Sequence, residues 1–206
     1  MPDAPAWMPS PEATDNGVRR TRGEEMERRI VEAARITFRR LSYEAARVDD
    51  IVEQAGVAHG AFYRYFRNKE DLLHRLAVEC ASRVQALTAD LEAMPRPIQA
   101  GDLARWVGQF GAVYREDGPV IRVWMDNRDS DPLMQALASD SLGPLAAALA
   151  SLVEPATAAA VGAETAGLGM LALLERLNSY FAAANHDAVA ATASRLLFAA
   201  TVHPDP

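Results

Sequence analysis

The stretch Ile51-Val52-Glu53-Gln54-Ala55-Gly56-Val57-Ala58-His59-Gly60-Ala61-Phe62-Tyr63 decides the fold of this chain. Its apolar residues fall at helical spacing on both sides of Gly56 and Val57. Gly56 suits the left-handed position just past a helix end. Asp49 and Asp50 lie in the first turn of the helix before it, where carboxylates complement the helix dipole. The pattern predicts a helix over 48–55, a tight turn, and a short helix over 58–65. That is the plan of a helix-turn-helix. Val48, Ile51, Val52 and Val57 are placed to hold the two helices together.

Upstream, helical periodicity begins near Gly23. Ile30, Ala33, Ala34, Thr37, Phe38 and Leu41 form one apolar face, a seat for Phe62 and Phe66. Arg28, Arg29, Glu32, Arg35 and Arg39 form the opposite face. Downstream, a long helix is predicted over 69–94. Pro95 and Pro97 end it. Further helices are predicted over 99–116, 119–126, 131–152, 156–184 and 186–202, with joints at Gly118-Pro119, Asp131-Pro132 and Glu154-Pro155. No segment alternates with a period of two, so the chain reads as all-α, with about nine helices.

Composition narrows the function classes. The chain of 206 residues carries a net charge of −7, which argues against a nucleic-acid partner. The distribution reverses that reading. Residues 19–75 sum to +3 and the remainder to −10. A basic segment joined to an acidic one is expected when only one part meets phosphate. Of the 21 basic residues, all are arginine except Lys69. Residues 1–22 are Pro-rich and read as an unstructured arm closed by Arg19, Arg20 and Arg22. This arm is either a solvated charge run or a contact for DNA. No basic-then-apolar leader pattern and no membrane span stand out. A single cysteine, Cys80, fits a reducing cytoplasm and a buried structural thiol. No Cys/His spacing suggests a metal, and no nucleophile, acid–base or phosphate-loop constellation suggests an enzyme.

Residues 26–76 resemble the DNA-binding domain of the TetR/AcrR family of repressors. Ala55-Gly56-Val57, then Tyr63, Tyr65-Phe66, then Lys69-Glu70-Asp71-Leu72-Leu73 carry the resemblance at matching offsets, with Ile30, Ala33-Ala34, Phe38, Tyr43, Val48 and Asp50-Ile51. The resemblance implies a short recognition helix entering a major groove about 12 Å wide. His59, Gly60 and Ala61 would face base edges, with the Ala61 methyl against a thymine methyl. Tyr63, Tyr65 and Lys69 would reach phosphates. The chain departs from the family's pattern at Ser42, where a glycine is usual. Ala46, Arg47 and Ala58 stand where hydroxyl caps are usual. Arg47 could contact phosphate in exchange. A helical dimeric interaction protein of the same fold without DNA binding is the alternative reading.

The resemblance also divides the chain into the arm (1–22), a three-helix helix-turn-helix domain (23–68) and a helical effector-binding and dimerisation domain (69–206). Trp106, Phe110, Tyr114, Trp124, Met125 and Met134 gather the mid-chain aromatic and sulfur side chains; such a set is more often core, and the resemblance raises the other reading, that they line an effector cavity. Arg105, Arg122 and Asp126 are polar candidates beside them. Leu171, Leu174, Leu177, Tyr180, Phe181, Leu196 and Leu197 are expected at a homodimer interface formed by the last two long helices, the alternative being an ordinary core within one chain. The expected function is a cytoplasmic, ligand-responsive repressor that leaves a double-stranded DNA operator when a hydrophobic or amphipathic small molecule binds. No cofactor, metal or membrane is expected to take part.

Overall fold

The computed structural model describes residues 11–127, 131–181 and 186–201; for 11–21, 125–127, 157, 180, 181, 186 and 201 it describes the backbone alone. The described residues form nine helices, as the periodicity predicts. They are α1 (Pro11–Leu41), α2 (Val48–Ala55), α3 (His59–Phe62), α4 (Lys69–Glu92), α5 (Ala100–Asn127), α6 (Pro132–Ala150), α7 (Pro155–Val161), α8 (Ala163–Phe181) and α9 (His186–Thr201).

Helices α1 to α3 form a head. Ile30, Ala34 and Phe38 of α1, Ile51 of α2, Phe62 of α3 and the following Phe66 are all buried, which is the seat the sequence predicts. The rings of Phe62 and Phe66 lie 5.7 Å apart. Gly56 ends α2 in the left-handed region, at φ 63 and ψ 42, where a side chain would be strained. The Val57 N–H then donates to the Val52 carbonyl at 3.0 Å. Arg29 reaches across from α1 and donates to the Ala55 carbonyl at 2.6 Å. A residue of the polar face thus locks the turn.

The rest of the molecule hangs on α4 and α5. Helix α4 packs on α5 and α6, α6 packs on α8, and α5 reaches α1, α8 and α9. One connected apolar core runs from Ile30 to Leu197. Where α1, α4 and α5 meet, Asp117 is fully buried (0% exposed). It accepts from Arg35 Nε of α1 at 3.0 Å and from Arg83 Nε of α4 at 2.8 Å. Arg35 also donates to Glu32 at 2.7 Å and to Glu79 at 2.8 Å. Three helices are therefore tied by one shared carboxylate. Cys80 is fully buried, and burial pushes its thiol well above the usual range, in keeping with a packed thiol rather than a nucleophile.

Several boundaries differ from expectation. Helix α1 begins at Pro11, inside the segment expected to be unstructured. Proline at a first helical position costs no hydrogen bond. Helix α5 runs through Pro119 instead of restarting there. An interior proline costs roughly 3 kcal/mol. Burial of Val120, Ile121, Val123 and Trp124 beyond it, with Asp117 anchored before it, outweighs that cost. The helix expected over 156–184 is split by Gly162, at φ 86, into α7 and α8.

Helices α6 and α8 pack with almost no gap at Gly167, where an added Cβ would stand 2.1 Å from the Ala146 carbonyl oxygen. Gly167→Ala is expected to cost at least about 2 kcal/mol of stability in chemical denaturation, because backbone rather than a flexible side chain must yield. Asp117→Asn leaves two guanidinium groups around a neutral amide in a buried site. It is expected to lower stability by about 3 kcal/mol in the same measurement.

Candidate nucleic-acid interface and effector cavity

The recognition helix α3 is one turn long, so its outward face is set by few residues. His59, Gly60, Tyr63 and Arg64 are exposed. A Cβ added at Gly60 would meet nothing within 4 Å, so this face is open to a close approach. Ala61 is 7% exposed and turns inward beside Phe62. The expectation that its methyl meets a thymine is thereby corrected. On a one-turn helix, the residue next to the buried anchor shares the anchor's side. Arg64 is exposed on the side that Ala61 turns away from. It sits four residues after Gly60 on the open side, a spacing signal masked in the sequence by the aromatic residues flanking it.

Neighbouring groups are already engaged. His59 Nε2 lies 3.0 Å from Asp49 Oδ1, and its ring is 5.2 Å from that of Tyr63. The Tyr63 ring rests edge-on against Phe62 at 5.2 Å and is 52% exposed, so its hydroxyl is carried outward by a rigid ring. Tyr65 is half-buried, with its hydroxyl oxygen 3.9 Å from where a Gly23 Cβ would stand on α1. Arg47 is exposed at the start of α2. The missing caps are real. Neither α2 nor α3 has a side-chain acceptor from its N-cap residue, and the Asp50 carboxylate instead takes the Arg47 N–H at 2.8 Å. Ser42 adopts φ 69, a conformation that favours glycine, the residue usual at this position in the family the chain resembles. Its hydroxyl donates to Glu44 at 2.7 Å.

Lys69 does not present the free ammonium expected of it. Nζ donates to the Tyr43 carbonyl at 2.6 Å and the Ala46 carbonyl at 2.8 Å, and lies 4.3 Å from the centre of the Tyr43 ring. Burial lowers its pKa, and the Glu44 carboxylate only partly opposes that. Lys69 thus clamps the loop between α1 and α2 that presents Arg47. The contact joins residues more than twenty positions apart, so spacing along the chain carries no signal for it. At its other flank α4 is capped by Asn68, whose Oδ1 accepts from the Asp71 N–H at 2.8 Å.

The second site is a cavity of about 290 Å³ between α4, α5, α6 and α8. Of the six expected lining residues, Phe110 and Tyr114 line it. Trp106 and Trp124 are core side chains, 2% and 0% exposed, whose indole N–H groups donate to the Leu87 and Met134 carbonyls, each at 2.8 Å. Met134 is buried near Tyr43 on another groove. Large aromatic residues at helical spacing thus serve mainly to fill the core. The side chain of Met125 lies outside the described residues. The rest of the lining comes from aliphatic residues of all four helices, among them Val84, Leu142 and Leu168, with Glu175 as the charged member. Nothing in their one-dimensional pattern separates them from ordinary core.

The expected dimer residues divide as well. Leu174 and Leu197 are 0% and 1% exposed within the chain, so they belong to the core, and Leu171 lines the cavity. Leu177 is half-buried against the core. Leu196 is 48% exposed. The side chains of Tyr180 and Phe181 lie outside the described residues. Glu70, His74 and Asp131 form a trio with metal-ligand chemistry, their donor atoms within 4.8 Å of one another. Asp131 is occupied structurally. One oxygen caps α6 by accepting from Leu133 N at 2.9 Å and Met134 N at 3.2 Å, and the other meets His74 Nε2 at 2.6 Å.

Arg64 of the head and Lys69 of α4 are expected to behave differently. Arg64→Ala should weaken binding to every duplex in a mobility-shift assay while leaving stability within about 0.5 kcal/mol of the parent. Lys69→Ala should weaken binding and also lower stability, by about 2 kcal/mol, because it strips charge-assisted bonds from two carbonyls.

Comparison with known proteins follows the same geometry. Residues 30–76 match the family described as bacterial regulatory proteins, tetR family. The chain is 35% identical over 72 residues to the uncharacterized HTH-type transcriptional regulator YdgC of Bacillus subtilis, a match covering 35% of this chain and 37% of the relative. Among solved structures, a bacterial regulatory protein in the tetR family from Rhodococcus RHA1 superposes with a TM-score of 0.66 at 20% identity, covering 87% of this chain and 98% of that one. The transcriptional regulator FadR of Bacillus subtilis in complex with stearoyl-CoA gives 0.60 at 18% identity, covering 85% and 98%. These structural matches concern the whole helical layout, whereas the sequence match is confined to the head. The buried seat, the glycine turn and the matched residues agree: residues 30–76 form a helix-turn-helix similar to that of the tetR family of bacterial regulatory proteins, and the helical layout of the whole chain is similar to that of solved regulators of that family.

Proposed function

We propose that the protein is a dimeric repressor whose head, residues 23–68, grips an operator and lets go when a small apolar or amphipathic molecule enters the domain formed by residues 69–206. The single observation that carries this reading is the placement of the cavity on the two helices that hold the head. Helix α4 starts at Lys69, which clamps the head's loop, and farther along contributes Val84 and Leu87 to the cavity. Helix α5 contributes Phe110, Val113, Tyr114 and Ile121, and between the last two it carries Asp117, the anchor of Arg35 in α1. A molecule that spreads α4 from α5 must disturb Asp117 and Lys69 together. Such a shift needs only about 1–3 kcal/mol of coupling to change occupancy. That FadR of Bacillus subtilis has been obtained in complex with stearoyl-CoA supports the view that this fold accepts amphipathic effectors.

A pair of heads is required for tight reading, since one short helix touches few base pairs. The outward faces of α8 and α9 suit the pairing. Gly169 and Ala172 on α8, and Ala191, Leu196, Ala199 and Ala200 on α9, are exposed and uncharged. Small residues permit close helix approach. Among the described residues, no helix is long and apolar enough to cross a membrane.

The test is sedimentation together with a mobility-shift assay on the DNA upstream of the protein's own gene. A dimer is expected, with affinity falling on the order of 10³-fold between 50 and 200 mM salt. A monomer, or a dimer that ignores that DNA at low salt, overturns the proposal.

A further inference from the structure

We propose that the cavity between α4, α5, α6 and α8 selects effectors with a cationic head, a protonated amine or quaternary ammonium on an apolar body, with Glu175 as the counter-ion. This rests on the reading of that cavity as the effector site. Of the twelve described residues that line it, ten are apolar, and the remaining two, Tyr114 and Glu175, are in contact. The Tyr114 hydroxyl donates to Glu175 Oε1 at 3.1 Å. It also engages the Ser179 side chain, one helical turn past Glu175 on α8. Burial first, and the Glu175 carboxylate second, push the Tyr114 hydroxyl well above the usual tyrosine range, so at neutral pH it remains a proton donor committed to Glu175. The polar end of the cavity therefore offers an incoming molecule a negative charge and carboxylate lone pairs.

Among the described residues, no lysine, arginine or histidine lines the cavity. Arg122 lies close enough to Tyr114 to oppose its shift, but it is exposed and outside the lining. A carboxylate or phosphate head would meet Glu175 across an apolar space, where like charges repel more strongly than in water. A neutral molecule would bring that half-buried carboxylate no counter-charge. A cation both pairs with it and supplies donors to its open acceptor positions. The volume of about 290 Å³ admits a fused bicyclic body.

The test uses the intact protein and three probes of one shape: 1-naphthylmethylamine, 1-naphthalenemethanol and 1-naphthoate, with affinities measured by calorimetry at neutral pH. The amine is expected to bind at least about tenfold more tightly than the alcohol, a difference typical of one charge-assisted hydrogen bond, and the naphthoate most weakly. In Glu175→Gln the amine should lose its advantage while the alcohol binds as before. Naphthoate binding as well as the amine, an amine advantage that survives Glu175→Gln, or an amine no better than the alcohol each overturns the inference. In those cases alcohol binding leaves the cavity standing as an apolar effector site. If none of the three binds, both readings fall.

Discussion

The buried carboxylate of Asp117 is the constraint on which the arrangement of helices depends. A charge removed from water must find partners, and the cost of leaving it without them is several kcal/mol. Here the partners come from different helices. Arg35 belongs to α1 and Arg83 to α4, while Asp117 itself lies on α5. Apolar packing alone would let these helices slide by small amounts at little cost. A shared ion site does not, because each guanidinium must keep its hydrogen bonds in a fixed geometry. The head is therefore registered against the helices that wall the cavity.

The same constraint explains why α5 tolerates a proline in its interior. Asp117 lies two residues before Pro119, and buried apolar residues follow it on the far side. Both flanks are pinned to neighbouring helices, so the missing hydrogen bond does not part them. It also explains why the clamp at Lys69 matters beyond its own contacts. Asp117 sets the position of α1, and Lys69 sets the loop that leaves α1. Two charged groups, neither of them on the recognition helix, thus govern how that helix is presented.

The candidate sites were unequally legible. The head was readable because its chemistry is local. Gly56 must be left-handed, and Phe62 and Phe66 must be covered. Ala61 was misread because it adjoins the exposed Gly60 on a helix too short to show which of the two faces inward. Lys69 was misread because a lone lysine at a helix start suits phosphate as well as a loop's carbonyls, and only the path of the chain over 42–47 separates the two. Among the mid-chain aromatics, Phe110 and Tyr114 reach the cavity while Trp106 and Trp124 fill the core and spend their N–H groups on backbone carbonyls.

By itself the sequence determined the class of fold, the helix-turn-helix and its apolar seat, because these follow from periodicity, turn chemistry and the cost of exposing large side chains. Only the tertiary structure decided which aliphatic residues enclose a cavity, which leucines of the last helices are core and which are exposed, and that Asp117 joins Arg35 and Arg83 across three helices. Those outcomes depend on the distance and rotation between helices. Such quantities arise when remote segments compete to bury surface and pair charge, and no local pattern encodes them.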